Sequence, residues 1–397
     1  MISTEKITAD RIRDKYIEHF GDNTGTDQFR LFRSPGRINL IGEHTDYNDG
    51  FVLPASVDKA VYFAISPRTD NQVILHAVDL DETYTFSVED LSRPDQKWAY
   101  FQLGIIEQIY KKNLKIGGFQ TAFGGDVPQG AGMSSSAALE CCLLFALNEV
   151  FGLGLDRFSI VKMSQKAENE YVGVQCGIMD QFASGFGKKE AVIRLDCRSL
   201  EYEYFPFPMN EYMIVLCDTR VEHSLASSEY NTRRLECEKG VSILQQYDTG
   251  IKSLRDVPPG LVAEHKDELG DVVYRRCKYI TEEIERVQVA CDFLLAGDLK
   301  SFGRKMYETH QGLQHEYEVS CEELDFLVEQ TFDNDAVIGA RMMGGGFGGC
   351  TINLVRKDAV EDFEMQMKKA YQDKFQIDLP CYRVSITDGT EEIILNA

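Results

Sequence analysis

The chain has 397 residues, 42 basic and 64 acidic, and a formal charge of −22 at pH 7. One hydrophobic core serves roughly 250–300 residues, so a chain of this length is expected to form two lobes. The acidity excludes nucleic acid or an anionic membrane surface as the main partner, because both want a basic face, but it leaves room for a small anion in one local pocket. In chain order, the first predicted element is an amphipathic helix, Ala9–Phe20, stopped by Gly21. Strand-like runs follow at 30–33, 51–54, 60–66 and 72–78, rich in β-branched and aromatic residues with turn residues between them. From 98 to 112 apolar residues recur at a helical period: Tyr100, Leu103, Ile106, Ile109 and Tyr110. A glycine-studded stretch, 117–132, leads into a helix over 134–150 whose apolar residues lie nearly all round, the pattern of a buried helix. The segment Phe205-Pro-Phe-Pro-Met-Asn210 follows neither period and divides the chain into lobes 1–205 and 206–397. Val257-Pro-Pro-Gly260 reads as another loop, 264–332 as polar-faced helices, and 350–355, 359–371 and 382–387 as strand, helix, strand. Strand and helix mixed in both halves predict a two-lobed α+β protein without internal repeats.

The richest apolar stretch, 137–155, is broken by Glu140, Asn148 and Glu149, and falls short of the ~18–20 residues a membrane span needs. The start, Met1-Ile-Ser-Thr-Glu-Lys6, carries no secretory apolar region. The eleven cysteines are odd in number and scattered, with none before Cys141 and none in a CxxC pair. They suit reduced core thiols in a cytoplasmic protein better than a disulfide framework or a zinc site. The adjacent Cys141 and Cys142 fall on the buried helix and read as packing.

Two glycine-rich loops stand out. Gly125-Asp-Val-Pro-Gln-Gly-Ala-Gly-Met-Ser-Ser-Ser136 runs directly into the buried helix. Its glycines let backbone N–H groups approach a ligand, and its serines add hydroxyls at the positive end of the helix dipole, which together make an anion site without a lysine. The same residues also describe a tight turn closed by an ordinary serine N-cap. The second loop, Gly344-Gly-Gly-Phe-Gly-Gly349, satisfies G-x-G-x-x-G but precedes a strand-like run, whereas the dinucleotide fingerprint needs a helix there. Its glycines point to a ligand or a neighbouring loop packed closely against them. No G-x-x-x-x-G-K-[ST] occurs, so a phosphate site built here is not of the Walker type.

The third cluster lies near the N-terminus. Glu43, His44 and Asp46 crowd four positions between the apolar runs Leu40-Ile41 and Phe51-Val-Leu53. Carboxylates and an imidazole so close together suit hydrogen bonding to the adjacent hydroxyls of a sugar; a solvated polar turn would look the same. A metal is less suited, because a second histidine at ligand spacing is missing. Arg37, beside Gly36, is a candidate for a phosphate or a catalytic carboxylate.

These three segments resemble, in order and separation, the signatures of the galactokinases within the GHMP small-molecule kinase superfamily. The run Gly36-Arg-Ile-Asn-Leu-Ile-Gly-Glu-His-Thr-Asp-Tyr-Asn-Asp-Gly50 is similar to the galactokinase signature, Pro128-Gln-Gly-Ala-Gly-Met-Ser-Ser-Ser136 to the superfamily's phosphate loop, and 344–350 to its third motif. Lys166-Ala-Glu-Asn-Glu170, Gly177-Ile-Met-Asp-Gln-Phe182 and Ser228-Glu-Tyr-Asn-Thr-Arg-Arg234 match as well, so the resemblance covers nearly the whole chain. Met133 stands where leucine is commoner. The resemblance implies a GHMP-kinase-like fold, mixed sheets with helices in each lobe, and an active site in the cleft between them. It implies ATP-dependent phosphorylation of galactose at its C1 hydroxyl, the first committed step of galactose catabolism, with Mg²⁺ and without an obligate protein partner.

By the same resemblance Asp180 would accept the hydroxyl proton, and Arg37 would stand between it and the γ-phosphate. Alone, Asp180 reads as a helix-capping aspartate. Glu43, His44, Thr45 and Asp46 would hold the sugar, with Tyr230 closing the pocket from the second lobe. Gly130, Ala131, Gly132, Met133, Ser134, Ser135 and Ser136 would wrap the ATP phosphates. Trp98 would lie near adenine, although a lone tryptophan equally fills a core. Ser136 and Glu168 would bind Mg²⁺, although Glu168 alone reads as a helix-surface carboxylate. Two alternatives are a kinase for N-acetylgalactosamine or arabinose, and a non-catalytic galactose and ATP sensor. A sensor is expected to have a damaged loop or base, whereas Arg37, Ser134, Glu168 and Asp180 are all present.

Overall fold

The computed structural model describes residues 7–21, 29–128, 130–207, 209–221 and 226–394. The N-terminal hexapeptide, Gln129 of the phosphate loop, Pro208 of the boundary segment and the side chain of Ser228 lie outside the described residues.

The first sheet has six strands, in the order Glu391–Ile393, Arg30–Asn39, Pro54–Pro67, Phe119–Gly125, Gln72–Ala77 and Glu82–Ser87. All neighbours are antiparallel except Gln72–Ala77 beside Phe119–Gly125, so the sheet is mixed. The buried helix Ser135–Phe151 packs across the strands Arg30–Asn39 and Pro54–Pro67. A second, antiparallel sheet orders Val337–Met342, Cys350–Arg356, Tyr212–Asp218 and Cys381–Val384. A small third one pairs Phe51–Val52, Ala191–Asp196 and Tyr202–Pro206. The long helices Ala226–Leu244, Lys266–Leu295 and Leu299–His315 pack side by side, the first two over a core that includes Cys237, Leu244, Tyr279 and Ile280. Helices and sheets in both halves make this the expected α+β architecture, with the first sheet mixed and the second antiparallel. Among the described residues no helix is long and apolar enough to cross a membrane.

Helix Ala9–Phe20 runs between the expected ends, with the Thr8 hydroxyl accepting from the Arg11 N–H (3.3 Å) and Gly21 closing it at φ +81°. Other elements depart from expectation for local physical reasons. The run at 30–33 continues to Asn39, because Pro35 and Gly36 are absorbed by a register shift between Pro35 and Arg37. Such bulges re-aim the side chain that follows, here Arg37. The runs 51–54 and 60–66 become a two-residue strand and one long strand, Pro54–Pro67, whose prolines stand at its ends where a missing N–H removes little of the ladder. The glycine-studded stretch hides the strand Phe119–Gly125; Gly118 just before it and Gly125 at its end lie against the backbone of Gln72 and Ala60. Pro259 opens a short helix, Pro259–Glu264, because a first-turn proline lacks only an N–H that would be unpaired anyway. Tyr212–Asp218 lacks alternation because its centre is buried on both faces.

The chain's end returns to its beginning. Glu391–Ile393 pairs with the strand Arg30–Asn39, and Arg30 grips Glu392 through Nε and Nη2 (2.7 and 2.6 Å). The segment 205–210 is held as well: Phe205 and Phe207 are buried in the largest core, which runs on through Ile214, Phe302, Ile352 and Ile386.

Candidate active site

The bulge brings Arg37 to Asp180, with Nε and Nη2 each 2.9 Å from Oδ1. Arg37 also donates through Nη1 to the Gly132 carbonyl and through its backbone N–H to Met133 O (3.0 Å). A β-carbon on Gly36 would stand 2.8 Å from that Met133 oxygen, so strand and loop touch only because residue 36 is glycine. Asp180 lies in the first turn of helix Met179–Phe186, whose N-cap is Ile178, and its Oδ2 accepts from the Ser134 hydroxyl. It is engaged with its neighbours and does not cap its helix.

Ser134 occupies the N-cap position of Ser135–Phe151 but adopts a left-handed φ of +54° and makes no capping bond. A non-glycine residue held there costs about 1–3 kcal/mol. The first-turn N–H groups of a 17-residue helix thus keep their positive end for an anion. Ser135 and Ser136 line a cavity of ≈340 Å³ together with Trp98. Trp98 packs on Phe123 (5.8 Å between centroids) and donates from Nε1 to Glu82 (2.7 Å), so it faces core and cavity at once. Gly130, Ala131, Gly132 and Met133 form the turn before the helix; Ala131 and Met133 are buried, and this part of the loop meets Arg37 through carbonyls.

A second cavity, ≈370 Å³, is lined by Arg37, Glu43, His44, Asp46, Glu168, Asp180, Tyr230, Gly344 and Gly345 among others. Burial alone would raise the Glu43 carboxyl, but Arg341 (3.0 Å), Arg37 and the Gly344 N–H (2.8 Å) outweigh it and hold the group below the ordinary carboxylate range. Burial pushes the His44 imidazole down to about 4, so it is neutral at pH 7; Nδ1 meets the Tyr47 hydroxyl (2.7 Å) and Nε2 is buried without a partner. Asp46 is raised to about 7, first by burial and then by the charge of Asp180 and of Glu43, against the Tyr47 N–H and Arg37. A β-carbon on Gly177 would collide with the Asp46 carboxylate, which explains a glycine in that loop. The Tyr230 ring lies tilted against His44 and edge-on to Tyr47 (5.3 and 5.4 Å between centroids). The structure does not bring Thr45 to this cavity. Its hydroxyl is buried and turned to the carbonyls of Gly42 (2.9 Å) and Phe51 (2.6 Å), where it shapes the turn.

Glu168 lies in a π-helical turn, Ala167–Val172, and is nearly buried. Its Oε2 accepts from Gln181 Nε2 (2.7 Å) and Cys176 Sγ (3.4 Å), and Ser136 bonds it too. Burial and the charge of Asp180 raise its carboxyl. Sequence reasoning passed over Glu140, one turn after Ser136 on the same helix. Glu140 is fully buried, leaves Oε1 unpartnered and is pushed well above the carboxylate range by burial and by Glu168. A carboxylate interrupting an otherwise apolar helix was the available signal. Arg341, also missed, is the largest fully buried side chain, and a lone arginine between Ala340 and Met342 in a strand was its signal. Gly344 and Gly345 face the cavity, while Gly346 and Gly348 abut the backbone of Val319 and Val221, so the third loop serves both purposes its glycines suggested.

Residues 14–67 match the galactokinase galactose-binding signature, 101–188 the GHMP kinases N terminal domain and 290–373 the GHMP kinases C terminal model. The chain is 42% identical over 362 residues to a galactokinase of Thermotoga neapolitana, covering 91% of this chain and 99% of the relative. It is 38% identical over 386 residues to a galactokinase of Roseiflexus sp., covering 97% of each. Its fold superposes on a crystal structure of Lactococcus lactis galactokinase complexed with galactose at a TM-score of 0.91 and 35% identity, over 96% of this chain and 98% of that one. Methanococcus jannaschii mevalonate kinase, 15% identical with a TM-score of 0.64 over 92% of this chain and 100% of its own, shares the fold alone. The chain is an enzyme that belongs to the galactokinase family of the GHMP kinases.

Proposed function

We propose that the chain transfers the γ-phosphoryl group of ATP to the C1 hydroxyl of galactose. The observation that carries this reading is the Arg37–Asp180–Ser134 constellation, which joins the polar cavity to an uncapped helix N-terminus. Phosphoryl transfer asks for positioning, charge neutralisation and a place for the hydroxyl proton. Asp180 takes the proton, and Arg37 neutralises charge that develops on the transferred group. Glu43, His44 and Asp46 hold the sugar hydroxyls beneath Tyr230. Thr45 acts only through the turn it closes. The N-terminus of Ser135–Phe151 receives the phosphates, and Trp98 bounds the space for adenine.

Mg²⁺ fits the residues present. Ser136 bonds Glu168, and the buried Glu140, one turn after Ser136, leaves Oε1 without a partner, so the donors present are oxygens. Ser136 and Glu168 would hold the ion, which when bound neutralises phosphate charge. Eleven unpaired thiols suit a reducing compartment, and we place the activity in the cytoplasm.

A coupled ADP assay across galactose, glucose, N-acetylgalactosamine and arabinose tests the reading. Mg²⁺-dependent ADP release is expected with galactose and is expected to fall by about 10²-fold or more with glucose, whose inverted C4 hydroxyl leaves buried groups unpaired. Faster release with another sugar of the panel would move the substrate there.

The pH dependence adds a second test. Asp46, raised to about 7, accepts sugar hydroxyls fully only when ionised. The KM for galactose is therefore expected to fall as pH rises through about 7, and Asp46→Asn should flatten that profile. A KM that rises over the same interval would contradict the role.

A further inference from the structure

Beside the sugar cavity lies another of ≈570 Å³, and Asp46 and residues 175–177 line both. Its lining carries more basic than acidic residues in a chain of formal charge −22: Lys112, Lys162, Lys166, Arg198 and Arg234 against Asp46 and Asp49. Two of these are already engaged, Arg198 with Asp256 (2.8 Å) and Asp49 (3.5 Å), and Arg234 with Glu238 (3.0 Å). Among the described residues the three lysines have no carboxylate at ion-pair distance. Lys162 and Lys166 stand one turn apart on the helix Arg157–Lys166, where like charges repel. An acid is near but committed elsewhere: Glu170, four residues past Lys166, bonds Lys111 (2.8 Å) and Gln108 (2.9 Å). Lys112 follows the end of the helix Tyr100–Lys111, whose dipole favours a cation, but Lys166 runs on into the π-helical turn Ala167–Val172, and Lys162 lies 6.0 Å over the Phe158 ring and within reach of the Asp156 charge, a carboxylate that caps the helix on the Ser159 N–H (2.7 Å).

Three unpaired cations converging on one concave space are the electrostatic complement of a dianion. The volume suits a small ligand larger than a bare ion, and Ser159, Gln165 and Gln175 add neutral polar groups of the kind that bind hydroxyls. We propose that this cavity is a second ligand site, for a hexose monophosphate, with the phosphate among Lys112, Lys162 and Lys166 and the hydroxyls against the neutral groups. The ligand class follows from this lining and does not rest on the function assigned to the neighbouring cavity.

Calorimetric titration of the full chain with galactose 6-phosphate, in saturating galactose and ADP, tests it. One saturable site is expected, weakened about tenfold or more in the Lys162→Glu/Lys166→Glu variant, whose melting temperature should stay that of the parent. Absence of saturable binding, equal binding by the variant, or inorganic phosphate binding as tightly as the sugar phosphate would each overturn the proposal.

Discussion

Replacing Asp180 by asparagine is expected to lower kcat by about 10²–10⁴-fold, the range that a positioned proton acceptor contributes. Asparagine keeps the shape of the side chain and one oxygen to accept from Arg37, which now lies 2.9 Å from Oδ1, but it cannot take a proton. Alanine removes both functions. If proton acceptance is the contribution, Asp180→Asn and Asp180→Ala fall together, and the KM for galactose changes little because Glu43, His44 and Asp46 are untouched. If Asp180 serves chiefly to hold Arg37 and Ser134 in place, asparagine retains most of the activity and alanine does not. The comparison matters because phosphoryl transfer has a loose transition state in which positioning alone goes far. Steady-state kinetics of the two variants decide it; turnover in Asp180→Asn within about tenfold of the parent would remove the base from the mechanism.

The parts of this site that were legible in the sequence are those carried by contiguous residues. The run from Gly36 to Gly50 and the loop before Ser135–Phe151 are each contiguous enough to carry the family resemblance, although alone each would also read as a polar turn. Periodicity likewise marked helix Ala9–Phe20 and the buried helix, because a single face or its absence can be counted along the chain. What the sequence withheld is long-range pairing. Nothing near Arg30 announces that it grips Glu392, and nothing near Glu391–Ile393 announces that it closes the first sheet. The register shift after Pro35 could not be read either, since a Ser-Pro-Gly run ordinarily signals a turn and only pairing with Pro54–Pro67 keeps it extended.

Side-chain direction was the other blind spot. Thr45 sits inside the sugar signature between two residues that line the cavity, yet the left-handed backbone at His44 (φ +64°) turns the chain so that the Thr45 hydroxyl points to backbone carbonyls. His44 was read beside two carboxylates as a polar cluster, but burial holds its imidazole neutral and gives it to Tyr47, whose hydroxyl meets Tyr317 (2.8 Å). The charge of −22 was a similar case. The global sign excluded polyanionic partners, while the local basic features, Arg37 at Asp180 and three lysines in the adjoining cavity, depend on folding to collect them.

Arg341→Met is expected to destabilise the protein by about 3–5 kcal/mol, because it leaves the Glu43 carboxylate buried without its partner. Arg341 is fully buried and Glu43 is 2% exposed, and the guanidinium also donates to the carbonyls of Leu40 (2.7 Å), Met342 (2.6 Å) and Asn39. One side chain thus pins the sugar segment to the strand that leads into the third glycine loop. Glu43→Leu/Arg341→Met should recover part of the loss by removing the stranded charge, though not all of it, since those carbonyls stay unpaired. Galactose affinity should stay lost in the double variant, which separates stability from binding. The pH dependence supplies the sharper readout. In the parent the Glu43 carboxyl is held below its ordinary value, so its contribution is present above about pH 4.5 and is lost as pH falls through the folded-state value. Without Arg341 burial dominates and raises that carboxyl, so the folded chain binds the extra proton and stability falls as pH rises above about 4.5. Urea denaturation over a range that spans pH 4.5 should therefore show the parent gaining stability with pH below about 4.5 and levelling off above it, and Arg341→Met level below about 4.5 and losing stability above it. Parallel slopes would mean that Glu43 does not depend on Arg341 for its charge.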